Sequence, residues 1–278
     1  MLATLSALTL RIFSNPYSNV LQKKLTQNGI NPCVVNFFTY FGLSILCLFF
    51  ILNLGYVPLQ AWGFAILGGL FGALGNGFLV KALECGELSV LGPINSYKSV
   101  VAMIFGIFLL GEIPSLFGIL GVFLIIYGSY FIFGKGEFRF GLLKRKDIQY
   151  RFLALIFTGC EAVFIKSVIN LTDVMTSFIF WCLFGALFSL FFTRFRFQKF
   201  SKQNMLLLFG LILSTGIMQL STNFVFNYMN VSYALALFQL SILLSVFFGW
   251  KFFDEKDIWR KLLGSVIMIC GAVVIILT

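Results

Sequence analysis

The chain has 278 residues, of which 60% are hydrophobic and 11% charged, and its mean hydropathy is +0.99. A soluble domain carries roughly 25% charged residues, so a chain this apolar requires the bilayer as its solvent. A net charge of +10 would suggest nucleic acid in a soluble protein, but here the basic residues sit in short loops beside apolar runs. They read as a topology signal, and no nucleic-acid partner is expected.

Histidine is absent and the six cysteines are scattered without a C-x-x-C pair. The commonest general base and metal ligand is therefore missing, and no metal, cofactor or disulfide framework is expected. Paired intramembrane aspartates and a cysteine–base motif are missing as well. Ten spans would use about 28 residues each, leaving no room for a soluble catalytic domain, so the chain reads as a non-enzyme.

In chain order, the first span covers about 3–23 and is polar for a lipid-facing helix, with Arg11, Asn15, Pro16, Ser18 and Asn19. It lacks the basic segment and cleavage site of a signal peptide and reads as a retained span. The second span, about 32–52, holds Asn36 and Tyr40 one turn apart. The third, about 61–83, sets Gly68, Gly72 and Asn76 at four-residue spacing, which lets helix backbones approach closely. The fourth, about 88–110, carries Lys98 near its middle, where a charge costs at least ~2.5–3.5 kcal/mol without a partner or a wet cavity. The fifth is about 115–133. A basic loop, about 134–150, follows. Spans six to ten cover about 151–170, 174–193, 204–228, 231–253 and 258–278. Glu161 lies near the middle of the sixth, and the eighth carries Gln219, Ser221, Thr222 and Asn223.

Residues 143 apart match across the chain. Gly106 falls on Gly249, Glu112 on Glu255, Gly121 on Gly264, Gly128 on Gly271 and Lys23 on Lys166. The expected fold is an all-α membrane protein: ten transmembrane helices as two inverted five-helix repeats. Residues 1–133 form the first repeat, 134–150 a cytoplasmic linker and 151–278 the second. All basic residues except Arg11, Lys98 and Lys166 fall in or beside odd-numbered loops. The positive-inside rule then makes those loops cytoplasmic and both termini non-cytoplasmic. An odd number of spans per repeat inverts the second copy.

Two five-span copies, the stretch GELSVLGPIN…FLLGEIPSLFGILGVFLIIYG at 86–128, Glu255 in the matching turn and a lysine closing spans one and six together resemble the drug/metabolite transporter superfamily. The closest pattern is its EamA-like branch of ten-helix carriers. The second copy departs by placing Asp254 where Gly111 stands. The resemblance implies secondary transport of small metabolites, often export, across a plasma (inner) membrane.

Inverted repeats put a substrate site near the midplane at the repeat interface. The intramembrane charges Arg11, Lys98 and Glu161 sum to +1, which favours an anionic or zwitterionic, amino-acid-like substrate. Arg11 and Lys98 suit a carboxylate or phosphate. Glu161 suits an ammonium group or a transported proton; a static ion pair between Glu161 and either cation is the competing reading. Asn76, Asn95, Gln219, Asn223 and Gln239 form a second tier, Asn76 and Gln219 at matched positions. Tyr40, Tyr97 and Trp181 are expected to wall the cavity. Glu112 and Glu255 read as helix caps. Expected partners are a small metabolite, membrane lipids and protons, with the chain a monomer or homodimer. A carrier or flippase for phosphorylated, nucleotide or lipid-linked substrates is the alternative.

Overall fold

Long runs of Leu, Phe, Ile, Ala and Gly without two-residue alternation favour helix, and a bilayer tolerates only backbones that satisfy their own hydrogen bonds. The computed structural model of the protein describes residues 2–51, 55–105, 115–133 and 144–277. Among them lie twelve α-helices: α1 (Leu2–Gln27), α2 (Pro32–Ile51), α3 (Leu59–Cys85), α4 (Leu88–Ile94), α5 (Tyr97–Phe105), α6 (Leu116–Ile132), α7 (Lys146–Leu171), α8 (Val174–Phe192), α9 (Lys202–Tyr228), α10 (Val231–Phe238), α11 (Ser241–Phe253) and α12 (Ile258–Leu277). The expected turn at 111–114, with Glu112, lies outside the described residues, as does most of the loop at 134–150. The part of that loop from Lys146 onward is helix.

Seven segments are long and apolar enough to cross a bilayer, among them Tyr233–Phe253 taken across the α10–α11 junction. Helix α1 has the length but not the apolarity, because Arg11, Asn15, Asn19, Gln22 and Lys23 lie along it. Its polar side chains serve the protein interior. Helix α1 also runs through Pro16 without ending there. Side chains cap several helices: Ser115 accepts from the Gly118 N–H, Asp173 from Met175 and Thr176, and Ser201 from Asn204. Each fills an otherwise orphaned backbone donor.

The described part of the fourth expected span, and the ninth, are each two helices rather than one. Around Asn95–Ser96 the bonds close three residues back: Asn95 N–H to Gly92 C=O, Ser96 to Pro93, Lys98 to Asn95 and Ser99 to Ser96. Around Gln239–Leu240 the same pattern runs from Gln239 to Ala236 and onward. Pro93 has no N–H and its ring crowds the preceding turn, which accounts for the first break. Ala236 stands at the matching place in the second, and nothing in the local sequence there supplies the same cause.

Helix α1 packs on α9, α3 on α7, α6 on α12 and α2 on α8. The contacts are reciprocal. A methyl added at Gly121 would stand 2.6 Å from the Gly271 carbonyl, and one added at Gly264 would stand 2.6 Å from the Gly128 carbonyl. On the 143 offset each contact is the image of the other. Glycine is required there because the two backbones touch with no space for a side chain. Rising numbers on one helix meet falling numbers on its partner: Arg11 meets Thr222, Ser18 meets Ser214, and Asn28 meets Asn204. Helices α1 and α9 therefore run antiparallel, as do the repeat mates α6 and α12, where Gly121 lies beside Gly271 and Gly128 beside Gly264.

Candidate functional site

A cavity of about 140 Å³ lies where the two halves meet. Matched positions line it from both sides: Asn15 and Thr158, Ser18 and Glu161, Asn76 and Gln219, Lys98 and Ser241. The positions repeat but the chemistry does not. Every charge in the cavity breaks the symmetry, so the two halves present different groups to one hollow.

Along α1, Arg11, Asn15, Ser18, Asn19 and Gln22 form one helical stripe facing inward. Arg11 donates through Nε to Thr222 Oγ1 at 2.8 Å, and its guanidinium sits 4.7 Å from the centroid of Phe238. Its Nη1 is buried with no partner. Gln22 donates to Asn76 Oδ1 at 3.0 Å, and Asn76 donates to Asn36 Oδ1 at 2.6 Å. The Gln22 side-chain Oε1 is also buried without a partner.

Glu161 on α7 accepts from Trp181 Nε1 at 2.5 Å. The Tyr40 ring lies 4.6 Å from that of Trp181, and its hydroxyl is buried and unpartnered. All three groups crowd Gly72: a methyl there would meet Glu161 Oε1 at 2.6 Å, Trp181 Nε1 at 2.9 Å and the Tyr40 hydroxyl at 3.1 Å. Gly72 lacks a Cβ so that these polar ends can converge. Among the described residues no cation lies within ion-pairing distance of Glu161, so a static ion pair with Lys98 or Arg11 is not formed. Among the described residues the Lys98 ammonium donates only to Thr158 Oγ1, at 3.4 Å.

Eight of the expected site residues line the hollow: Arg11, Tyr40, Asn76, Asn95, Lys98, Glu161, Trp181 and Gln219. Three do not. The Tyr97 hydroxyl turns away to Ser129 Oγ at 3.0 Å, because the break before α5 rotates it toward α6. Asn223 is buried between the Gln219 amide, at 2.9 Å, and the Val174 carbonyl, at 3.4 Å. Gln239 sits in the second break and accepts from Asn95 at 3.4 Å. These two amides act as links between helices.

Sequence reasoning missed Arg151, which it set at the start of the sixth span, directly after the basic loop. Helix α7 begins at Lys146, so Arg151 lies inside it, buried. The α4–α5 break leaves the Leu91 carbonyl without its usual donor, since Asn95 N–H turns to Gly92. Arg151 Nε fills the vacancy at 2.8 Å and its Nη2 reaches Asn95 Oδ1 at 3.0 Å. Broken helices persist in lipid only when such groups are re-satisfied. Arg151 therefore latches the break and is less free than Lys98 or Arg11.

Glu255 is a cap, but not on its own helix. It accepts from the Leu88 and Ser89 N–H groups of α4 at 2.8 and 2.7 Å, and pairs with Lys23 of α1 at 2.7 Å. Lys261 bridges Ser89 Oγ, at 2.8 Å, and Glu87. This ionic layer ties both halves together beyond the odd-loop end of the cavity.

Apolar membrane-length helices, two related halves and a charged hollow between them define an integral multi-pass membrane protein of transporter architecture. A model of the EamA-like transporter family matches residues 10–134 and 147–277, and the chain belongs to that family. A solved structure described only as the crystal structure of a protein covers 98% of this chain and 94% of its own length at 16% identity, with a TM-score of 0.66. That likeness is one of fold. No protein of curated function matches the chain.

Proposed function

We propose that the protein is a secondary active transporter of small anionic or zwitterionic metabolites, amino-acid-like in size and charge, working by alternating access of the central cavity. The observation that carries this reading is a set of buried, unpartnered atoms in one hollow, Arg11 Nη1, the Gln22 side-chain Oε1 and the Tyr40 hydroxyl, beside the half-buried Lys98 ammonium with its one long bond. A buried polar group left unpaired costs roughly 1–3 kcal/mol, and a ligand that pairs several of them recovers that cost on binding. Two cations with free donors favour a carboxylate or a phosphate. The small hollow favours a metabolite over a nucleotide or a lipid-linked substrate.

In this reading α4–α5 and α10–α11 each form one discontinuous span, and ten spans cross a plasma (inner) membrane as two inverted sets of five. The breaks lie beside the cavity, as expected of half-helices that shape a midplane site. The basic odd loops put both termini outside. Reporter fusions at residue 278 test this: an externally active reporter is expected to work and a cytoplasmic one to stay silent. A working cytoplasmic reporter reverses the topology.

Glu161 is the candidate proton carrier, with Trp181 bonded to it, Tyr40 beside it and Lys98 and Arg11 lining the same cavity. The test is flux in proteoliposomes for radiolabelled amino acids, phosphosugars and nucleotides across a range of pH. Saturable uptake or release of one small charged class is expected. Glu161→Gln, which cannot ionise, is expected to flatten the pH profile of that flux. An unaltered profile removes Glu161 from coupling, and absence of flux for every small solute removes the transport reading.

A further inference from the structure

A second hollow lies away from the central cavity, at the odd-loop end of the helices. We infer that it is a binding groove for the headgroup of an anionic phospholipid. Three cations from three helix ends converge on it: Lys81 near the end of α3, Lys146 opening α7 and Arg194 just past α8. Glu84 is the one carboxylate in its described lining. Among the described residues none of the three cations is ion-paired. Lys81 instead rests over aromatic faces, 5.5 Å from the Phe78 centroid and 5.8 Å from that of Tyr150.

The groove measures about 680 Å³, and Phe191 and Phe192 form an apolar, exposed flank. Cationic and apolar parts thus lie side by side where helices end, which is where a bilayer presents phosphate above acyl chains. A phospholipid fits both; a free anion would leave the phenylalanine flank uncovered, and a zwitterionic lipid would leave the excess positive charge unbalanced. Clustered cations beside membrane-spanning helices recognise anionic headgroups in this manner. The back of the groove reaches Asn36, whose side chain bonds Asn76 of the central cavity at 2.6 Å. A bound lipid would therefore press on the wall that the two hollows share.

The experiment titrates the detergent-solubilised full chain with fluorescent phosphatidylglycerol and competes it with unlabelled phosphatidylglycerol, phosphatidylcholine or inorganic phosphate. Displacement by unlabelled phosphatidylglycerol alone is expected. The triple variant Lys81→Gln, Lys146→Gln and Arg194→Gln is expected to bind roughly 100-fold more weakly, since each cation near an anionic headgroup contributes about fivefold. A matched triple, Lys199→Gln, Lys202→Gln and Lys256→Gln, removes the same charge elsewhere at that end and is expected to bind as the wild type does. Both triples must melt as the wild type does without added lipid. If they do, equal loss in both, equal competition by phosphatidylcholine or displacement by phosphate overturns the site. If the groove triple fails to fold, the double variant Lys146→Glu and Arg194→Glu, at exposed positions, replaces it, and unchanged binding there overturns the site. The readout is lipid binding, so it stands apart from the transport reading.

Discussion

Replacing Lys98 with methionine is expected to lower substrate flux about 10–100-fold, because a hydrogen bond to a charged group contributes roughly 1.5–3 kcal/mol. The same variant is expected to fold at least as well as the wild type. Lys98 is half-buried beside Thr158, with a single long side-chain contact of 3.4 Å and no carboxylate within ion-pairing distance among the described residues. An unpaired charge in that place weakens the fold, and an apolar side chain of similar length relieves the cost. Stability and function thus move in opposite directions. A lysine locking the two halves would behave otherwise: its removal would lower the melting temperature. Flux in proteoliposomes and melting of the purified protein, measured on one preparation, separate the two. Full flux in Lys98→Met removes Lys98 from the substrate site.

The asymmetry between Lys98 and Arg151 shows how far sequence carries this kind of reading. Lys98 was legible because it interrupts an apolar run, and the cost of a charge there is a local fact. Arg151 was hidden because it follows a basic loop and looks like the end of one. Its role depends on the break at Asn95, which turns a backbone carbonyl toward α7. A break of hydrogen bonding between distant helices leaves no periodic trace, although Pro93 hinted at it. The α1 stripe was legible in principle: Arg11, Asn15, Ser18 and Gln22 follow helical spacing on one face. The repeat was legible at once, because Gly121, Gly128, Gly264 and Gly271 must stay small where backbones touch. Tyr97, Asn223 and Gln239 share the depth of the site but not its direction. Depth follows from residue number, whereas direction depends on how a broken helix turns.

Lys23→Ala is expected to be the most damaging single change to stability, costing about 3 kcal/mol at neutral pH, at the lower end for breaking a buried pair. Lys23 and Glu255 are both almost fully buried, 2.7 Å apart, with the ammonium 4.5 Å from the Phe253 centroid. Burial pushes the Glu255 carboxyl up, but the Lys23 ammonium and the Ser89 hydrogen bonds outweigh it and hold the group below its ordinary value. A carboxyl depressed in the fold lends stability above its unfolded value and loses it as pH falls through the folded one. Wild-type stability should therefore drop on strong acidification. Without Lys23 the balance tips to burial, the carboxylate becomes a liability at neutral pH, and mild acid, by protonating it, should recover part of the loss. The sign of the pH dependence reverses between the two proteins. The double variant Lys23→Met with Glu255→Gln removes both charges but keeps an acceptor for only one of the Leu88 and Ser89 N–H groups, which bond different carboxylate oxygens, so it should regain part of the lost stability. Melting of the three proteins in detergent from acid to neutral pH decides the matter. A single variant that melts like the wild type would show that the ionic layer beneath the cavity does not hold the two halves together.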